Sequence, residues 1–525
     1  PITYSELGRQ VSEMTKLLYS AGFRQGDKVA LLSQNMPNWV IAYFSIVQAG
    51  MIVIPMLPDF SQTEVETVLL HSESKGLFVS ERLLPKIADQ NFPDLTLVIS
   101  TDNLTVIPEK TTVTLSETHD FVRPIVGEDD LAAIIYTSGT TGRSKGVMLT
   151  HKNITWNSAQ AFVFHPIDSN DVFLSFLPLS HTYENTIGMI YPLMFGAAIY
   201  YLDKAPTPTV LMAAMAKIRP TIMVSVPLIM EKIYKSQIQS KFNKNNFKRA
   251  IYRTAILRIL IHRIAGKKLK ESFGGRLRFF GIGGSKLDTR VERFLREAKF
   301  PYAIGYGLTE TAPLLAGAGV NYTKLRSTGF AVPGVTIKLH EPDKQGVGEI
   351  WVKGPNVMKG YYKSPDLTAE VITPDGWFKT GDLGYMNKKG RLYINGRKKN
   401  TIIGANGENI YPEDIESIIN NTPYVTESLV IEENGFLIAK VLLNIDELET
   451  QIDNFREIYE SKLEQYQAWK AGFVKELNAK LNRVSQIKNV QPVEEPFEKT
   501  ASLKIKRFLY TKIEEVKSGK HAKRN

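Results

Sequence analysis

The 525-residue chain contains no cysteine, which removes disulfides, thiolate metal sites and any thiol nucleophile of its own. Thiol chemistry would have to arrive with a substrate, and the absence fits a reducing compartment. Long apolar runs are also missing. The strongest, Ile187 to Leu202, is short for a membrane span and is broken by Gly188, Pro192 and Gly196, so it reads as buried core. No secretory leader is visible, and because Pro1 opens in mid-pattern a leader upstream of it stays open. Acidic residues are absent from one stretch: between Lys232 and Lys270 lie twelve Lys and Arg and no Asp or Glu. The whole chain carries a formal net charge of +11, so everything outside this stretch is close to neutral. Within it Ile251, Tyr252, Ala255, Ile256, Ile259, Leu260 and Ile264 recur at roughly helical spacing, which predicts a basic amphipathic helix. Such a helix suits plain solvation or docking on an anionic membrane. It lacks interleaved groove-reading features, so no nucleic-acid partner is expected.

What is present is ordinary globular material. With 43% hydrophobic and 23% charged residues there is ample apolar surface to bury, and the length calls for at least two domains. The first part alternates helical segments (Tyr4 to Tyr19, Pro37 to Gln48) with strand-like ones (Lys28 to Leu32, Ile52 to Pro55), and further buried-strand candidates follow at Gly76 to Val79, Leu95 to Ile99, Val172 to Phe176, Ala198 to Leu202, Ile222 to Val226 and Leu277 to Gly281. That alternation predicts α/β architecture. From Gly329 to Tyr361 short strands and turn signals predict a small antiparallel barrel. After Arg391-Leu-Tyr-Ile-Asn-Gly-Arg-Lys-Lys-Asn400 the pattern becomes a compact α+β one, which places a boundary at Lys399 between domains of residues 1–398 and 399–525. Leu448, Ile452, Phe455, Tyr459, Leu463, Tyr466, Phe473, Leu477 and Leu481 predict late helices with a break near Gly472.

Five short segments carry groups suited to chemistry. Ala132 to Ile135 run into Tyr136-Thr-Ser-Gly-Thr-Thr-Gly-Arg-Ser-Lys145-Gly146, a segment of hydroxyls, glycines and cations suited to a polyphosphate leaving a sheet edge. It is not a Walker loop, because Gly146 stands where a Ser or Thr would hold magnesium. Phe279-Phe280-Gly281-Ile-Gly283-Gly284-Ser285 offers glycines that a flat ring can approach, although Lys286 in place of a third glycine fails the dinucleotide fingerprint. Gly305-Tyr306-Gly307-Leu308-Thr309-Glu310-Thr311 groups an aromatic ring, a hydroxyl and a carboxylate, as adenine, phosphate and magnesium need. Thr380-Gly381-Asp382, followed fifteen positions later by Arg397, supplies a carboxylate for two ribose hydroxyls and a guanidinium to complete the grip. Near the end, Thr500-Ala-Ser-Leu503-Lys504-Ile-Lys506-Arg507 sets a cation beside hydroxyls. Singly each has a plainer reading as a surface loop, a turn or a solvated lysine.

Taken in order and spacing, these motifs resemble the adenylate-forming family, which includes acyl-CoA synthetases, luciferases and the adenylation domains of peptide synthetases, over nearly the whole chain. Ile2-Thr-Tyr-Ser-Glu-Leu, Gly26-Asp27 and Asn35-Met-Pro-Asn-Trp39 are similar to its N-terminal region. Leu177-Pro-Leu-Ser-His181-Thr-Tyr-Glu-Asn185 and Leu503-Lys504-Ile-Lys506-Arg507 look most like the medium- to long-chain fatty acid–CoA ligases. Two departures, Gly281 to Lys286 in place of Ser-Gly-Gly-Ala-Pro and Ile304 before Gly-Tyr-Gly, bear on the acyl pocket more than on the nucleotide site.

The resemblance implies a large N-terminal domain of two α/β sheets plus a small β-barrel, with a smaller, mobile α+β C-terminal domain turning about Lys399. It implies ATP-dependent activation of a fatty acid to acyl-AMP and transfer to coenzyme A, giving acyl-CoA, AMP and pyrophosphate, with Mg²⁺ required. Thr137, Ser138, Gly139, Thr140, Thr141, Gly142 and Lys145 would hold the β- and γ-phosphates, and Glu310 the metal. Tyr306 and Gly307 would meet adenine, with Gly283, Gly284 and Ser285 on the strand side. Asp382 and Arg397 would hold the ribose and Thr309 the α-phosphate. Lys504 would bridge the attacking carboxylate and the phosphate. His181 would gate the acyl tunnel or simply pack. Gly407, in Gly404-Ala-Asn-Gly407-Glu408, would face the thiol channel after the turn. A carrier-protein pantetheine or another acceptor is the alternative to coenzyme A. Amino acid activation fits poorly, since no Asp stands between Leu177 and Asn185 to hold an ammonium. The intact Lys145, Glu310, Asp382 and Lys504 set argues against an idle nucleotide-binding protein. The expected location is the cytoplasm, or peripherally on the inner face of a membrane.

Overall fold

The computed structural model describes residues 1–88, 92–116, 122, 124–138, 144–202, 206–239, 254–404, 408–422, 424–449, 452, 455–500 and 505–511. Two compact units emerge: one of Pro1–Thr137, Ser144–Thr380 and Gly384–Ile394, the other taking Gly381–Leu383 and the chain from Asn395 onward.

Local signals set the first elements. Thr3 caps helix Tyr4–Ser20 by accepting the Glu6 amide, and Val11, Met14 and Leu18 bury its inner face at three- and four-residue spacing. Pro37 opens helix Pro37–Gln48 at a position where the missing N–H costs nothing. Ser61 and Glu64 cap each other at the start of helix Gln62–Ser72. These helices alternate with strands of a seven-stranded sheet in the order Gly360–Tyr361, Ser144–Thr150, Leu131–Ser138, Ile52–Met56, Lys28–Leu32, Gly76–Val79, Leu97–Ser100. Lys28 lies opposite Ile52, Val29 opposite Gly76, Gly76 opposite Leu97 and Val53 opposite Ala133, all parallel, while Gly360 meets Met148 antiparallel at the edge. Ile52–Met56 and Gly76–Val79 are buried at every position, the pattern of strands covered on both faces.

A second sheet of five strands runs Tyr302–Ile304, Phe279–Ile282, Ile222–Ser225, Val172–Ser175, Ala198–Tyr201, parallel throughout and with its own apolar core. The region expected to be a small barrel is a three-stranded antiparallel sheet (Tyr306–Gly307, Leu314–Gly317, Phe330–Ala331) and a four-stranded sheet (Thr336–His340, Gly348–Lys353, Phe378–Met386, Leu392–Arg397), joined by an antiparallel bridge from Gly329 to Leu392. The second unit has a separate core around strands Val425–Glu433, Phe436–Leu443 and Asn489–Val493 and helix Pro412–Asn420.

Three expectations are corrected. Gly472 breaks nothing: helix Leu463–Asn478 runs through it, because Phe473 and Leu477 beside it are buried and outweigh the roughly 1 kcal/mol a helical glycine costs. Ile187 to Leu202 is core only in part: the end of a π-helix (Glu184–Ile190) and the start of a short helix (Tyr191–Met194) are buried as expected, while Met194 and, in strand Ala198–Tyr201, Tyr200 are about half exposed. The basic helix runs Ala255–Ser272, yet Ile256, Leu260 and Ile264 point outward; Ile251 and Tyr252 lie outside the described residues.

Candidate active site

The first unit positions the phosphate-side residues. Strand Leu131–Ser138 delivers Thr137 and Ser138 to its end, and strand Ser144–Thr150 begins one residue before Lys145. Gly139, Thr140, Thr141 and Gly142 lie outside the described residues. Just before the loop, the Tyr136 hydroxyl meets His71 Nδ1 at 2.8 Å, and burial, then the Lys363 charge, holds that imidazole below its ordinary pKa. Lys145 Nζ sits 5.0 Å from the centre of the Tyr361 ring, and the Tyr361 hydroxyl donates to Glu310 Oε1 at 2.9 Å. One tyrosine on the edge strand thus joins the expected phosphate cation to the expected metal carboxylate.

The loop carrying Tyr306, Thr309 and Glu310 is fixed from both sides. A side chain at Gly307 would meet the Pro313 oxygen at 1.9 Å, so only glycine fits there. Thr311 Oγ1 accepts the Leu308 amide and donates to Pro313 O at 2.6 Å. Asn356 donates to Thr311 O and Leu314 O, Asn157 exchanges two hydrogen bonds with Leu314, and the Met358 amide donates to Glu310 O. Tyr306, Thr309 and Glu310 are each half-buried, accessible to a ligand but held in place. Among the described residues no three His, Cys, Asp or Glu side chains gather into a metal cage. A single steered carboxylate is nevertheless what Mg²⁺ needs when substrate phosphates and water supply its other oxygens.

The glycine strand is filled in a way the sequence did not announce. A Cβ at Gly281 would lie 2.8 Å from the Tyr183 hydroxyl, and one at Gly283 would lie 3.3 Å from the same ring. The flat group laid on these glycines is therefore Tyr183. Gly284 (φ +90°) and Ser285 follow, exposed. His181 sits at the start of the helical turn that carries Tyr183; its Nδ1 accepts the Tyr183 amide at 3.2 Å. Behind them lies an apolar cavity of about 60 Å³, whose lining includes Tyr183, Ile187, Gly281, Ile304 and His165. His165 stacks on Phe279, and burial, ahead of the Arg278 charge, pushes its pKa down to about 4, so the wall is uncharged at neutral pH. The cavity reaches from the glycine strand to the Ile304–Gly305 end of the neighbouring strand, beside Tyr306.

The second unit brings Asp382 and Arg397 together at 2.8 Å; the carboxylate is buried and the guanidinium partly open. Gly381 turns the strand just before them with φ +69°. Lys504 and Gly407 fall outside the described residues, but the flanks of Lys504 are secured. Lys499 and Ile505 form an antiparallel bridge, the Lys506 amide donates to Glu498 O, and Arg507 pairs with Glu416, which also accepts the Val430 amide. Burial pushes the Glu416 carboxyl up against the pull of Arg507.

Comparison with known proteins gives a consistent result. Residues 1–362 match the family described as AMP-binding enzyme. The chain is 31% identical to the peroxisomal long chain acyl-CoA synthetase 7 of Arabidopsis thaliana, over 84% of this chain and 68% of that protein. It is 30% identical to the long-chain-fatty-acid–CoA ligase FadD15 of Mycobacterium tuberculosis, over 85% and 77%. The crystal structure of ATP-bound MatB from Rhodopseudomonas palustris superposes with a TM-score of 0.77 at 25% identity, over 97% of this chain and 93% of that one.

Proposed function

This chain belongs to the AMP-binding enzyme family, and we propose that it activates a fatty acid with ATP and passes the acyl group to coenzyme A through the residues named above. A carboxylate is a poor acyl donor because its leaving group would be an oxide. Its attack on the α-phosphorus of ATP expels pyrophosphate and leaves AMP as the leaving group; thiol attack on the acyl-AMP carbonyl then releases AMP and forms the thioester. With no cysteine in the chain, the thiol arrives with a substrate, and the likeness to acyl-CoA synthetases favours coenzyme A.

In this reading the protein positions groups and neutralises charge. Lys145 and the Thr137–Gly142 loop bind the β- and γ-phosphates, and Thr309 orients the α-phosphate. Glu310 is the carboxylate that would hold magnesium, which neutralises phosphate charge when bound. Tyr306 and Gly307 take adenine, with the exposed Gly284 and Ser285 alongside, while Gly283 lies under the Tyr183 ring. Asp382 and Arg397 take ribose, and Lys504 steadies the attacking carboxylate. The uncharged cavity behind Tyr183 receives the acyl chain, and His181 governs its mouth by holding the turn that carries Tyr183. The smaller domain turns about Lys399 between half-reactions, withdrawing Lys504 and bringing Gly407 to the thiol. The observation that carries this reading is the convergence of Lys145 and Glu310 on Tyr361. Among the described residues no helix is long and apolar enough to cross a membrane; the basic Lys232–Lys270 segment instead docks the enzyme peripherally on an anionic membrane face.

A panel of carboxylic acids assayed by pyrophosphate release, with and without coenzyme A, tests the function. Fatty acids should give acyl-CoA. Failure to form acyl-AMP from any acid in the presence of Mg²⁺ would overturn the assignment.

A further inference from the structure

Helix Ala255–Ser272 is clamped to its neighbour by its inner face. Arg258 donates to both oxygens of Glu297 at 3.1 and 2.9 Å, and His262 Nδ1 lies 2.7 Å from the same carboxylate. A Cβ at Gly266 would lie 2.6 Å from the Ala298 Cβ, so the backbones touch there, and Leu269 is buried. These contacts fix the helix's rotation and so decide what it presents outward. Ile256, Leu260 and Ile264, at i, i+4 and i+8, are 74%, 51% and 63% exposed, with Leu257 beside them at 42%. Arg263, Lys267, Lys268 and Lys270 are exposed along the same side or its margins. An amphipathic helix of a water-facing surface would put its aliphatics inside; here four of the large ones lie outside among cations.

We propose that this face is an interfacial anchor that inserts Ile256, Leu260 and Ile264 among the acyl chains of an anionic bilayer while Arg263, Lys267 and Lys268 pair with its phosphates. The proposal rests on the peripheral docking stated above and deepens it from electrostatic attraction to insertion. Charge complementarity selects the occupant. A second copy of the chain would set the same cations against one another, whereas an anionic bilayer satisfies both the aliphatic row and the charges around it. A bilayer is also where long-chain acids concentrate, so the anchor would hold the enzyme at its substrate.

Co-sedimentation with phosphatidylcholine vesicles, with and without phosphatidylglycerol, tests this. The wild-type enzyme should pellet with the anionic vesicles, less so as salt rises. Ile256→Ser/Leu260→Ser/Ile264→Ser should weaken that binding roughly tenfold or more, and Lys267→Glu/Lys268→Glu should do the same while flattening the salt dependence. Both variants should keep wild-type pyrophosphate release with a freely dissolved acid, which confirms folding. Ile264→Ser alone should lose a few-fold and serves if the triple variant misfolds. Retained binding by the aliphatic variants would overturn insertion and leave electrostatic docking standing. No binding of wild-type enzyme to anionic vesicles would overturn both. Self-association in sedimentation velocity that the aliphatic variants abolish, with vesicle binding unchanged, would assign the face to a second copy instead.

Discussion

Tyr361 performs two tasks that no motif announces: its hydroxyl steers Glu310 while its ring faces the Lys145 ammonium. Tyr361→Phe keeps the ring and removes the hydroxyl, leaving the carboxylate without its donor. A hydrogen bond to a charged group contributes about 1.5 kcal/mol or more, so the Mg²⁺ concentration giving half-maximal pyrophosphate release should rise roughly tenfold. An unchanged magnesium dependence would remove Tyr361 from the site. Glu310 could be singled out as a candidate because the glycines, ring and hydroxyl around it are neighbours in sequence. Tyr361 could not, since its partner lies 51 positions away and tyrosines near glycine are common. Tyr183 escaped for the same reason: glycines advertise a close approach but not the group that makes it. At Lys504 the expectation concerns one charge in one half-reaction. Lys504→Ala should lower acyl-AMP formation about 10²- to 10³-fold, the cost of one preorganised charge. Thioester formation from supplied acyl-AMP should be spared, and loss of both steps alike would reassign the residue.

The proposed hinge falls on the single turn Lys398–Asn400, which follows strand Leu392–Arg397. The Thr401 amide and hydroxyl return to Arg397 O at 3.1 and 3.0 Å, and Asn400 Nδ2 donates to Glu413 Oε1 at 2.7 Å. Both ends of the turn are thus tied, and a change of direction would have to fall on the backbone between them. Lys399→Pro fixes φ near −65° and also restricts Lys398, so a turn used as a hinge would stiffen in one state. Pyrophosphate exchange should persist while thioester synthesis falls; equal loss of both would reject Lys399 as the pivot. At this scale the sequence was informative where helical and strand-like segments alternate clearly, as in Lys28–Leu32 and Pro37–Gln48, which begin and end where expected. It misled where tertiary packing overrides propensity, as at Gly472. It misled again where apolar spacing gave a helix without saying which way that helix would face, as at Ile256, Leu260 and Ile264.

At the scale of the whole molecule, the first unit stores three acids against their ordinary chemistry. Burial raises Glu184 to about 8, Glu231 to about 7 and Glu292 to about 6. Glu231 accepts the Asp288 amide, and Glu292 accepts from Tyr302 and the Arg326 amide, so each has a donor. Glu184 is fully buried, and although the Ser175 hydroxyl opposes its rise, no hydrogen bond of ordinary geometry from the described residues reaches either oxygen. The sign follows from which state keeps the proton. Below pH 4.5 Glu184 is protonated folded and unfolded, and the acid is neutral to stability. Between 4.5 and about 8 only the folded unit retains the proton, so stability falls as pH rises, by about 1.4 kcal/mol per pH unit for one such group. Above 8 both states ionise and the loss levels off. Glu184→Gln keeps the shape and cannot ionise. Thermal unfolding should therefore show the variant close to wild type near pH 4.5 and increasingly more stable towards pH 8. Parallel melting curves across that range would mean that the carboxyl is already ionised in the folded unit at neutral pH, with a cation or ordered water beside it.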